Sequence, residues 1–100
     1  MLKHILLWKF KDEFKENAIE FDKKVKTLHK MFSGMVGKID GLIKAEIGKD
    51  ISGGNYDIVL YSEFTNKAAL DCYKIHPLHL EVKELSKDWV TNKTVIDYFI

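Results

Sequence analysis

The chain has no arginine: all 16 of its basic residues are lysines. The planar fork that grips phosphate and carboxylate with two parallel hydrogen bonds is therefore missing, which argues against nucleotide and nucleic-acid partners. A net charge of +1 adds little long-range attraction for a polyanion. Lys23, Lys24, Lys26 and Lys30 are interleaved with apolar residues and read as the solvated face of a helix. A single cysteine, Cys72, excludes an intramolecular disulfide and agrees with a reducing compartment. Placed before Tyr73 on an expected helix, it reads as a small buried filler. No apolar run is long enough to span a bilayer. The opening segment is apolar but broken by Lys9 and Lys11, and no small-residue cleavage site follows, so the expectation is a cytoplasmic protein without a membrane partner. Gly53-Gly54 is followed by neither a lysine-serine pair nor a helix and is not a phosphate loop. With one proline only, Pro77 marks the single forced bend.

What is present describes one globular domain over residues 1–100, with 46% hydrophobic and 31% charged residues. A chain of this size buries only about two-thirds of its unfolded surface, so covering more of it by association is advantageous. His4 to Phe10 alternate as a strand with apolar residues on both sides. Ala18, Phe21, Val25, Leu28, Phe32 and Met35 recur at helical spacing from about residue 16, with Asn17 and Glu20 as a candidate cap. Gly34, Gly37 and Gly41 punctuate the exit, and Leu42 to Gly48 form a second strand. The Ser52-Gly53-Gly54-Asn55 turn leads into a third strand, Asp57 to Phe64, as a hairpin with the second. Thr65 or Asn66 caps a helix through Tyr73, Pro77 starts another that runs to about Trp89, and Thr94 to Phe99 closes with a strand.

This order, β-α-β-β-α-β with the last helical segment split, is the α+β ferredoxin-like arrangement, in which helices cover one face of an antiparallel sheet. The other face is apolar too. Ile5 and Leu7 oppose Leu6 and Trp8, Val59 and Tyr61 oppose Ile58 and Leu60, and Val95 opposes Ile96. An apolar patch of that size predicts a homodimer packed through its sheet faces.

Chemistry concentrates in Tyr73-Lys74-Ile75-His76-Pro77-Leu78-His79, a phenol and two imidazoles around the bend. The residue before proline is pushed toward extended geometry, which places His76 at a cap and His79 in the first turn of the next helix. The positive end of that helix disfavours imidazolium, leaving His79 neutral as a general base requires. His79 with Tyr73 supplies a base and an acid without metal or cofactor. The structural alternative stands beside it: His76 caps, His79 bonds to nearby backbone, and Tyr73 is a core residue. His4 shares a face with Leu6, Trp8 and Phe10 and reads as a satisfied core histidine or a pocket residue. Trp89, with Phe21 and Phe32, reads as core or as an apolar pocket wall. Two histidines three apart across a proline form no recognised zinc pattern, so no metal is expected. His29, on the lysine-rich helix, reads as exposed.

Lys3-His4-Ile5-Leu6-Leu7-Trp8-Lys9-Phe10, Ile47-Gly48-Lys49-Asp50, Tyr56-Asp57-Ile58-Val59, Tyr73 with His76-Pro77-Leu78-His79, and Ile96-Asp97-Tyr98 together resemble the stress-responsive dimeric α/β barrel (Dabb) family across essentially the whole chain. The resemblance implies a dimeric α/β barrel, two ferredoxin-like folds joined by their sheets, with a pocket in each subunit between sheet and helices. A plant polyketide cyclase of that family closes a ring by a cofactor-independent aldol-type reaction, and Tyr73 and His79 match its tyrosine and histidine; His4 matches a further pocket residue and His76 the first histidine of the bend. That cyclase has another histidine near the start of its third strand, where Tyr56-Asp57-Ile58-Val59 has none. Three functions follow as expectations: cyclase or lyase chemistry on a small β-keto or phenolic compound, a non-catalytic stress-related binding or structural dimer, or a cofactor-free monooxygenase or haem-handling barrel.

Overall fold

The computed structural model describes all of residues 1–100. Four strands, β1 (Leu2–Phe10), β2 (Leu42–Lys49), β3 (Ile58–Phe64) and β4 (Val90–Phe99), form one antiparallel sheet in the order β2-β3-β1-β4. The helices α1 (Ala18–Ser33), α2 (Lys67–Ile75) and α3 (Pro77–Ser86) lie in the connections, giving the ferredoxin-like α+β fold. β2 and β3 pair directly, from Leu42 opposite Phe64 to Lys49 opposite Ile58, so the expected hairpin is present.

Local chemistry explains each helix start. The Asn17 side chain accepts from the N–H groups of Ile19 and Glu20, and Asn66 accepts from that of Ala69. α1 turns Val25, Leu28 and Phe32 onto the sheet, where they meet Leu2, Trp8 and Phe10 of β1 and Ile58, Leu60 and Phe64 of β3 in one core. Leu28, Leu60 and Leu70 are fully enclosed, each contributing about 1.5–3 kcal/mol by leaving water. Lys24 departs from the solvated-lysine expectation: its ammonium lies over the rings of Phe14 and Trp89, at 5.2 and 5.4 Å from their centroids.

Several expectations are corrected. α3 stops at Ser86 instead of Trp89, and β4 begins at Val90 instead of Thr94, because the Val90–Lys93 stretch pairs with Trp8–Phe10 across a bulge. A short 3-10 turn, Asp12–Phe14, joins β1 to α1. Cys72 is exposed, not buried, since it falls off the stripe of Ala69, Leu70 and Tyr73 that α2 turns inward.

The second sheet face carries Ile5 and Leu7 beside Val59, Tyr61 and Ile96, with Ile96 59% exposed. β4 is an edge strand and is largely open on the helix side as well, where Val95 and Phe99 are also exposed. Its apolar residues are thus uncovered on both faces within one chain.

Candidate functional site

A cavity of about 620 Å³ lies between β1 and β4 on one side and α2 and α3 on the other. That size suits a small organic molecule. Leu6, Trp8, Phe32 and Val82 make its apolar wall, and His4, Tyr73 and His79 bring polar chemistry into it.

Tyr73 and His79 face each other with ring centroids 4.2 Å apart, and His4 meets the Tyr73 ring edge-on at 6.0 Å. The geometry follows from the bend. His76 takes extended φ and ψ before Pro77, and its Nδ1 accepts from the Leu78 N–H at 3.1 Å. α3 therefore restarts at an angle that folds His79 back over Tyr73. His79 Nδ1 lies 3.1 Å from the Lys74 carbonyl oxygen. A carbonyl only accepts, so Nδ1 carries the proton and Nε2 is left as an acceptor without a protein partner.

Burial, chiefly, holds the His79 imidazolium form down, assisted by the charges of Lys83, His4 and Lys93 and opposed by the bond to Lys74. The shift favours the neutral ring, and its main cause is desolvation, not the helix end invoked from sequence. Tyr73 is almost wholly buried, and burial pushes its phenol well above the ordinary tyrosine value. It stays protonated and so keeps a hydrogen to donate. Its hydroxyl is also buried without any hydrogen-bond partner in the protein.

His4 has a partner that the sequence reading passed over. Asp97 pairs with it across β1 and β4, and the Asp97 carboxylate accepts from His4 Nδ1–H at 2.5 Å. His4 is thereby oriented with its proton on Nδ1, as a histidine backed by a carboxylate. Ser86, whose hydroxyl donates to the Val82 carbonyl, and Lys74, Lys83, Lys87 and Lys93 also belong to the lining and were likewise not anticipated.

Two expected pocket residues lie elsewhere. Trp89 packs on Phe10, with centroids 6.3 Å apart, outside the cavity lining, because α3 ends before it. His76 serves as the helix cap and faces a separate surface depression near Cys72 and Asn66. Asp57 and Glu63 lie outside the cavity: Asp57 holds the Phe10 N–H and Lys15, and Glu63 holds Lys3. His29 is exposed and accepts from the Ile47 N–H.

Residues 2–100 match the profile of the stress-responsive A/B barrel domain, Dabb. The stress-response A/B barrel domain-containing protein HS1 of Arabidopsis thaliana is 32% identical over 101 residues, covering 97% of this chain and 87% of that protein. A crystal structure from Bacteroides fragilis, described as a dimeric protein of unknown function with a ferredoxin-like fold, superposes with a TM-score of 0.86 at 26% identity, over 99% of this chain and 95% of that one. A crystal structure of an Arabidopsis thaliana protein superposes with a TM-score of 0.77 at 28% identity, over 100% and 95% of the two chains. By its sequence match and its fold alike, the chain belongs to the Dabb family of stress-responsive A/B barrel domains.

Proposed function

We propose that this protein is a homodimer whose cavity binds a small carbonyl or phenolic compound and moves a proton on it without metal or cofactor. The observation that carries this reading is the Tyr73–His79 pair: a neutral imidazole with Nε2 free, stacked on a buried phenol whose hydroxyl has no partner. His79 Nε2 accepts a proton from the carbon next to a ligand carbonyl. Tyr73 donates a hydrogen bond to the oxygen on which the enolate charge develops. The imidazolium then returns the proton to carbon, or to the oxygen of an aldol product or leaving group. His4, held by Asp97, orients the ligand from the opposite wall.

The test is hydrogen–deuterium exchange at the α-carbon of acyclic and aromatic β-diketones, followed by proton NMR. Exchange faster with wild type than with His79→Ala, both folded, is the expected result; equal rates would leave the cavity a binding site and remove the catalytic role.

The homodimer is supported by the apolar second sheet face and by the dimeric description of the Bacteroides fragilis relative. Ile96 stands opposite Ile5 at the middle of that face. Ile96→Glu should convert a sedimenting dimer to monomer; a wild-type monomer at micromolar concentration would exclude the assembly.

A further inference from the structure

We infer that the ligand of this cavity is a monoanion, an apolar body ending in one carboxylate, which leaves its charge at the mouth while its reactive part reaches Tyr73 and His79. This rests on the cavity being the binding site, as proposed above. Three elements bring cations to the same opening: Lys74 from α2, Lys83 from α3 and Lys93 from β4. None of the three has a carboxylate within salt-bridge distance; Lys87, the fourth lysine of the lining, is paired with Glu84. The lining contains a single acid, Asp97, and it is engaged by His4. The opening therefore carries three lysines that no carboxylate pairs directly, against the one carboxylate of Asp97, and the balance is positive above apolar walls that concentrate its field.

The donor chemistry selects a carboxylate over a phosphate. No guanidinium is available, and the start of α3 offers no free nest of N–H groups: the Leu78 N–H is taken by the His76 side chain and the His79 N–H by the His76 carbonyl. What remains is a set of separated ammonium point charges, which suits one delocalised negative charge reached by side-chain movement. Lys83 lies one helical turn beyond His79 on the same face of α3, so an anion held there is close to the base. Lys93 stands opposite Trp8 on the neighbouring strand, so an aromatic or alkyl body extending inward meets Trp8 and Leu6.

The experiment compares 6-phenylhexanoate with 6-phenylhexanamide by calorimetric titration, with the His4 and His79 ring signals followed by NMR to place the ligand. The acid should bind wild type about tenfold more tightly than the amide at low salt, and the preference should shrink in 0.5 M sodium chloride, as expected for pairs exposed to solvent (a screening length of about 10 Å at 0.1 M falls to about 4 Å). In the double variant Lys83→Gln/Lys93→Gln the acid should fall to the affinity of the amide, while the amide binds unchanged and so reports an intact cavity. Equal affinities for acid and amide in wild type, or a preference that survives the double substitution, would overturn the assignment of the charge. Failure of both compounds to move either histidine signal would instead overturn the cavity reading on which it stands.

Discussion

Replacing Tyr73 by phenylalanine should make the protein more stable and less active. The hydroxyl is buried, lacks any partner, and sits on a ring that is 2% exposed. An unsatisfied buried polar group costs about 1–3 kcal/mol relative to its hydrated state in the unfolded chain, and phenylalanine removes that cost. The ring contacts survive the change: Phe64 at 5.1 Å and His79 at 4.2 Å between centroids depend on the aromatic face, not on the oxygen. A gain of about 1 kcal/mol corresponds to a rise in Tm of about 4–8 °C for a domain of this size. The assay is calorimetry at one fixed protein concentration, because association in the proposed dimer would couple Tm to concentration. It should be paired with the β-diketone exchange assay, in which the rate falls. A hydroxyl satisfied in the free protein predicts the opposite sign, a loss of about 0.5–1.5 kcal/mol. A lower Tm in Tyr73→Phe would therefore refute the reasoning: the phenol would be a structural donor instead of one held in reserve for a ligand. The combination of higher stability and lower activity is the signature of a site maintained at the expense of the fold.

Asp97→Ala leaves the buried His4 Nδ1–H without an acceptor and should cost about 1–3 kcal/mol in urea unfolding, whereas Asp97→Asn keeps an acceptor oxygen and should cost less. Both should displace the His4 ring resonances, and Asn should restore most of their wild-type spread. The pH dependence of stability should carry the mark of His79: its folded pKa lies below the ordinary value of about 6.5, so below that pH the unfolded chain binds the proton more readily. Its contribution is then full above about pH 6.5 and is lost as pH falls toward the folded pKa; urea midpoints of wild type and His79→Gln should diverge above that pH and converge below it. Gly41→Ala should be far more damaging than Gly37→Ala. Both have positive φ, 82° and 88°, but a Cβ at Gly41 meets the Ala69 Cβ at 2.5 Å, while nothing lies within 4 Å of one at Gly37. Denaturant midpoints should show about 1 kcal/mol for Gly37 and about 2–5 kcal/mol for Gly41.

The fold was legible because its strongest signals are local. Alternation in β1 and β3, the Asn17 and Asn66 caps, and the three-four spacing of Val25, Leu28 and Phe32 all depend on residues within a turn or two of one another. The errors fall where a distant partner decides. Val90 to Lys93, a valine followed by Thr, Asn and Lys, has no apolar alternation and becomes strand because β1 offers it a ladder, with the Lys11 N–H also donating to the Trp89 carbonyl. That pairing ends α3 early and carries Trp89 away from the cavity to Phe10. Cys72 was misplaced for a smaller reason, since on a nine-residue helix one position decides between core and solvent, and Ala69, Leu70 and Tyr73 define the inward stripe without it.

The site divides along the same line. Tyr73 and His79 sit six residues apart around one proline, so their approach was readable from the bend alone. His4 and Asp97 are 93 residues apart, and only the β1–β4 register makes them partners. A one-residue slip in that register would turn Asp97 to the second sheet face and leave His4 without its acceptor. The register is held by the whole ladder, from Leu2 opposite Phe99 to Phe10 opposite Val90, and β4 exposes Ile96 on one side and Val95 and Phe99 on the other. An edge strand with such apolar content is a poor guardian of register when uncovered. In the proposed dimer, a second subunit over this strand would do more than bury surface: it would fix the strand that delivers Asp97 to His4 and Lys93 to the cavity mouth. The proposed dimer and the proposed chemistry of the cavity would then be coupled through β4, so Ile96→Glu, which lies outside the cavity lining, should weaken ligand binding as well as association.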